Sequence, residues 1–333
     1  MKKLFLVTLL AFLAIVSEAQ TARELQATAN TFLRQGDYAN AVLVLTRALD
    51  MEPNNMSVTK DLALVYNLQK QNDKALPLIR KVIDSDQADD QSFQIAGSIY
   101  IANNDVKEAE KLYKRALKKF PQSGPLYCEY GEVLMGKKDE SAIDQWEKGI
   151  QVDPNYSKNY FNASKFYFLK ADPIWTILYG EIFVNMEPFG QRTAEIKNII
   201  LDGYKKLFTS SNFDQKSQNK NEFEKAFLST MDKQKAVVNF GISTEILTMV
   251  RTRFILDWYA SNYQDKFPFK LFDLHKDLLQ NGLFEIYDQW MVGSVENLKA
   301  YQNYITLHKQ QHGDFIALQK GRNYKQPMNQ YYK

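Results

Sequence analysis

A single cysteine, Cys128, stands in the 333 residues, so no internal disulfide is possible and apolar packing alone must hold the fold. Glycine is sparse at 14 residues and forms neither a phosphate-cradling loop nor a Gly-x-Ser-x-Gly elbow. Histidine is sparser: His275, His308 and His312. The last two lie four apart on one helical face, but Lys309 and Gln310 follow His308 where a zinc-protease helix carries glutamate. No carboxylate or cysteine completes that set, so no metal, cofactor or catalytic residue is expected, and the chain does not read as an enzyme. A large charge excess is also missing. Residues 20–189 carry 20 Lys/Arg against 23 Asp/Glu and residues 190–333 carry 20 against 15, which with Lys2, Lys3 and Glu18 makes a formal net charge of +3 for the whole chain. That balance lacks the clustered basicity of a nucleic-acid binder. Alternating apolar patterns of strand length are absent, which leaves an all-α class.

What is present begins at the N-terminus. Lys2 and Lys3 precede an apolar run, Leu4–Val16, which is followed by Ser17-Glu18-Ala19. The run falls short of the ~20 residues a helix needs to span a bilayer. Small residues three before and one before a cut give a secretory signal peptide over residues 1–19, cleaved after Ala19. No cysteine sits at the junction to take a lipid, so the expected location is periplasmic or secreted, with no transmembrane anchor after cleavage.

Residues 20–189 repeat. Alanine recurs at Ala41, Ala75, Ala109 and Ala142, each followed four residues later by a bulky residue, Leu45, Ile79, Tyr113 and Trp146. Upstream, small residues Ala29, Ala63, Gly97, Gly131 and Ser164 each precede by three a larger one, Phe32, Tyr66, Tyr100, Leu134 and Tyr167. Small residues let two helices approach, and the large ones fill the space beside them. Gly36-Asp37, Asn72-Asp73 and Asn104-Asp105 predict turns within units, while Pro53, Pro121, Pro154 and Pro188 predict helix ends between them. These columns describe antiparallel helix pairs starting near Ala22, Met56, Asp90, Gly124 and Ser157. The fifth is degenerate, with Thr176 and Gly180 where alanine and a bulky residue are expected.

The pattern resembles the tetratricopeptide repeat (TPR) family, whose 34-residue helix-turn-helix unit carries small, aromatic, alanine and proline columns at these offsets. The resemblance implies an α-solenoid of about five repeats and a groove, lined by the first helix of each pair, that receives a peptide or a partner's helix. Carried over by spacing, the groove slots hold Arg23, Gln26, Asn30, Lys60, Leu64, Asn67, Gln94, Ser98, Cys128, Glu132, Phe161 and Lys165. Their amides suit the backbone of an extended partner. The slots of the family's chaperone-carboxylate clamp hold Gln26, Asn30, Asp61, Gln91 and Ile95, so its cations are missing. The implied function is an exported protein–protein interaction scaffold.

Behind Gly190 the period is lost while helical spacing continues to residue 320. Ile196, Ile199, Ile200, Tyr204 and Leu207 form one stripe, and Ile246, Leu247, Val250, Phe254 and Trp258 another. Ser243 and Pro268 open helices, and Ser294 with Glu296 opens a last one ending near Gly313. Asn212–Asn221 reads as a loop. Phe254, Trp258, Tyr259, Phe267, Phe269, Phe272, Phe284, Tyr287 and Trp290 either cap the solenoid or, in the alternative, form a glycan platform beside Arg251 and Arg253. Those two arginines lie two apart and so face different ways. The polar tail, 321–333, is expected to be disordered.

Overall fold

The computed structural model describes all residues except 1–20, 210–212, 214–216 and 240. The expected signal peptide with its cleavage site and residues 212 and 214–216 of the expected loop therefore lie outside the described residues. Those described are helical, with no strand among them. Two compact units divide between Ala116 and Leu117.

The first unit is built from α1 (Ala22–Arg34), α2 (Tyr38–Met51), α3 (Met56–Leu68), α4 (Asn72–Ile83), α5 (Asp90–Ala102) and the greater part of α6 (Val106–Lys119). Side chains start the helices. Thr21 and Glu24 form a reciprocal capping box, Asp89 and Ser92 another, and Asp37 and Asn55 each accept from a first-turn amide. The recurring alanines Ala41, Ala75 and Ala109 are fully buried. The columns also interlock: a Cβ added to Gly97 would fall 2.0 Å from the Tyr113 hydroxyl. Glycine at this column is thus where the bulky residue after the alanine is received.

The turn within each pair repeats more regularly than any side chain. Gly36, Lys70, Asn104, Lys138 and Ala171 all have positive φ, between 55° and 76°. The residue after each donates its amide to the fifth residue before it, as in Asp37 N to Phe32 O at 2.9 Å and Asp105 N to Tyr100 O at 2.8 Å. This is a Schellman closure. In the second pair it sits at Lys70, so Asn72-Asp73, expected as the turn, instead begins α4.

The second unit continues with α7 (Gly124–Gly136), α8 (Ala142–Val152), α9 (Ser157–Leu169) and α10 (Pro173–Met186), again paired. A Cβ on Gly131 would meet the Trp146 indole nitrogen at 2.4 Å, the same interlock as Gly97 with Tyr113. The fifth pair explains its own departure. Gly180 faces Ser164 and Ile200, whose atoms would lie 3.0 and 2.9 Å from an added Cβ, so α11 (Gln191–Thr209) approaches where a bulky side chain stands elsewhere.

The division expected at Gly190 is not where the chain separates. Helix α10 is buried from Ile174 to Asn185, packing on α11 and on helices further along, with Trp175 stacked on Phe223. The remaining helices are α12 (Glu222–Asp232), α13 (Lys235–Val238), α14 (Thr244–Ala260), α15 (Tyr263–Lys266), α16 (Lys270–Gln280), α17 (Phe284–Asp288), a π-turn (Gln289–Gly293), α18 (Ser294–Glu296), α19 (Leu298–Leu307) and α20 (Lys309–Gly321). The single last helix expected from Ser294 to Gly313 is broken instead. Asn297 turns extended and caps α19, and Gly313 lies inside α20.

The tail corrects a further expectation. Tyr324 and Gln326 are buried, and Gln326 exchanges two backbone hydrogen bonds with the Asn155 side chain. Tyr332 stacks on Phe223 at 4.7 Å and donates to the Pro268 carbonyl at 2.6 Å. Its tyrosines, which the polar composition obscures, supply the apolar area that pins it.

Candidate functional site

On α1, α3 and α5 the groove slots recur at intervals of three and four residues, which places them along one face of each helix. Their side chains are joined across successive pairs. Gln26 Nε2 donates to Ser57 Oγ at 2.8 Å and to Asp61 Oδ2 at 2.7 Å. Lys60 Nζ lies 2.6 Å from Asp89 Oδ2, and Asn67 Nδ2 donates to Ser98 Oγ at 2.7 Å. Asn30 also bonds Asp61, so the acid that spoils the clamp pattern gathers two slot amides. Burial raises the Asp61 carboxyl despite Gln26, Lys60 and Asn30. At Asp89 burial is outweighed by hydrogen bonds from Lys60 and Ser92, and the carboxyl is held down. Arg23 is exposed and Leu64 and Gln94 are half-buried on the same helices, with no side-chain hydrogen bond or ion pair joining them to the other slots among the described residues.

In the second unit the corresponding slots lie on α7 and α9. Glu132 receives Lys158 at 2.8 Å and the Asn162 amide at 3.0 Å. Cys128 is fully buried beside them, its Sγ 3.4 Å from Asn162 Nδ2, and burial with the Glu132 charge pushes its thiol up. A thiol so placed is a packing residue with little thiolate. Phe161 is half-buried, 5.2 Å from the Phe183 ring, with the Lys165 ammonium 4.9 Å and the Arg192 guanidinium 5.1 Å from its centre. Lys165 pairs with Glu195 at 2.5 Å and Arg192 with Glu187 at 3.0 Å. The result is an aromatic face flanked by two cations.

A polar centre that the spacing did not reveal lies deeper in this unit. Arg251 spans Glu181 and Asp288, all three nearly inaccessible to solvent. Glu181 Oε1 also lies 2.8 Å from His275 Nε2 and accepts the Tyr287 hydroxyl at 2.7 Å. Asn185 donates to that hydroxyl at 2.8 Å. Burial alone would raise Glu181, but Arg251 and His275 pull it down to about 2. Asp288, with burial and the Glu181 charge set against Arg251, is pushed up to about 7. Burial lowers His275 despite Glu181. The signal lay in lone charges within apolar segments: Glu181 is the only acid in α10, and Arg251 follows Met249-Val250 in α14. Arg253, two residues on, is exposed, so the two arginines do face different ways.

The glycan platform is not formed. Of the ten aromatics from Phe254 to Trp290, all but Tyr259 and Tyr263 are buried, and they stack on one another as in Phe254 against Trp258 at 5.7 Å. Sugar stacking requires an open ring face, and these rings are spent on the core. His308 stacks on Tyr304 at 4.1 Å, and His312 contacts the Tyr301 hydroxyl at 3.3 Å.

Family models described as tetratricopeptide repeat match residues 32–96 and 90–133. No curated protein matches the chain. Among similar solved structures is a thermophilic TPR protein of Thermus thermophilus, at 12% identity, TM-score 0.45, covering 56% of this chain and 99% of that one. PilF of Pseudomonas aeruginosa aligns at 17% identity, TM-score 0.49, over 55% and 83% respectively. YrrB, described as a TPR protein with an unusual peptide-binding site, aligns at 16% identity, TM-score 0.39, over 56% and 96%.

Proposed function

Because the chain is a tetratricopeptide repeat protein, matched as such over residues 32–133, we propose that it is a non-catalytic scaffold that holds a partner protein or peptide on its first-helix faces. The observation that carries this reading is the polar ladder of the first unit, Gln26 with Asp61, Lys60 with Asp89 and Asn67 with Ser98. An amide has two donors and an acceptor. The ladder engages the nitrogen of Gln26 and of Asn67 and leaves the carbonyl oxygens to a partner's backbone N–H. An extended segment held through its backbone needs little sequence identity, so partner choice is loose there. In the second unit Phe161, Lys165 and Arg192 suit a segment that brings an acid beside an apolar side chain. The basic and apolar leader over residues 1–19 supports a site of action in the periplasm or outside the cell.

The test is crosslinking capture from envelope fractions with the wild-type chain and with Asn30→Ala/Asn67→Ala/Gln94→Ala, both verified as folded by circular dichroism. The reading expects a captured protein to be lost with the triple variant. Equal capture by both chains contradicts it.

A further inference from the structure

Between α16, the turn after it, the end of α20 and the first tail residues lies an open cavity of about 610 Å³. This is within the range of small-molecule sites. Leu274 and Leu278, four apart on α16, supply its apolar lining together with Leu283 and Leu318. Leu318 is 43% exposed, an apolar side chain left open to solvent. The charges around these leucines are uneven: Lys270, Arg322 and Lys325 line the cavity against one acid, Asp277.

Arg322 is the unusual member. Both terminal nitrogens of its guanidinium are shielded from solvent and have no hydrogen-bond partner among the described residues. Burial draws the group down, opposed only in part by Tyr287, Tyr324 and Asp277. An unpaired buried cation is costly, and a planar fork of donors is satisfied best by a carboxylate, which it grips bidentately. The tail holds the residue at this spot. Gln326 is fixed to Asn155 as described above, and the Lys270 amide donates to Gln330 Oε1 at 2.6 Å.

We infer that this cavity binds a small aliphatic carboxylate, its head group on Arg322 with Lys270 and Lys325 at the rim, and its chain along Leu274, Leu278, Leu283 and Leu318. Arg322 is itself half-buried and lines the cavity, and binding requires its terminal group to turn its two nitrogens toward the carboxylate. The site is separate from the first-helix faces and stands or falls independently of the scaffold reading.

Calorimetric titration of the full chain with decanoate, below its micellar concentration, tests the inference, with decylamine as the charge-reversed probe of equal length. The expected result is one saturable site for decanoate and no binding of decylamine. Arg322→Gln should weaken decanoate at least tenfold, and Leu318→Trp, which fills the cavity from its exposed side without altering charge, should abolish binding. A thermal melt of each variant confirms folding. Failure of decanoate to bind, equal binding of both probes, or decanoate affinity unmoved by either folded variant overturns it.

Discussion

The two units bury different chemistry. In the first, the buried polar residues among those described are Thr59 and Ser92, small hydroxyls engaged at helix starts, and the rest of the described core is alanine, aliphatic side chains and a few rings. In the second, Glu147, Glu181, Lys197, Glu224, Arg251, His275 and Asp288 are all buried. A repeat solves one packing problem and copies the solution, so each pair needs only small residues where its neighbour is large. The helices after the last pair have no copy to stack on. They close over α10 with non-repeating rings and with charges that must be partnered once out of water.

The largest effect that should separate the units is Arg251→Met. It leaves the Glu181 carboxylate buried without its counter-ion and Asp288 without its hydrogen-bond donor, a loss on the order of 3–5 kcal/mol by urea unfolding. Next is Gly97→Ala in the first unit. The added Cβ falls on the Tyr113 ring, at 2.0 Å from its hydroxyl, and should cost about 1–3 kcal/mol. Tyr113→Leu in the same chain should recover part of that loss, and a double-mutant cycle measures the coupling. A cycle with no coupling would mean that the two columns do not meet.

Asp288 predicts a pH effect of definite sign. Its folded value, raised from 3.8 to about 7, means the native state keeps a proton that the unfolded chain has released. Its contribution is fully present below its unfolded value and falls as pH rises toward 7, by about 1.4 kcal/mol per unit at most. His275 works oppositely, since its lowered folded value costs stability as pH falls below 6.5. The comparison that isolates Asp288 is therefore wild type against Asp288→Asn. Wild type should lose stability relative to the variant between pH 4 and 7 in urea melts, and a constant difference refutes the assignment. The smallest effect belongs to the first unit's Lys60–Asp89 pair, whose aspartate side chain is 48% exposed. Lys60→Ala should move stability by less than about 1 kcal/mol.

How much of this was legible follows from the same contrast. Ala41, Ala75, Ala109 and Ala142 could be aligned because each meets the same neighbour at the same offset, and all four are fully buried. The turns were half legible. Gly36 advertises a left-handed position, but Lys70, Lys138 and Ala171 occupy the same conformation without any side-chain signature. The ion cluster has no period: Glu181, Arg251 and Asp288 come from three helices, and pairing them required the packing itself. The tail read as disordered because its binding power resides in Tyr324, Tyr331 and Tyr332, scattered among polar residues, with Tyr331 donating to the buried Glu147. Of the groove slots, spacing placed the residues on their helices, but not that Gln26, Lys60 and Asn67 would already be bridging to neighbours.

The central functional claim is that partners are held on the first-helix faces. Site-specific photocrosslinking addresses it most directly, with a benzophenone side chain placed singly at Gln94 or Lys165 on that face, or at Thr46 or Lys81 on the second helices. The account predicts that an envelope-protein adduct forms from Gln94 and Lys165 and not from Thr46 or Lys81. Adducts of equal yield from all four positions, or from the second helices alone, would contradict it.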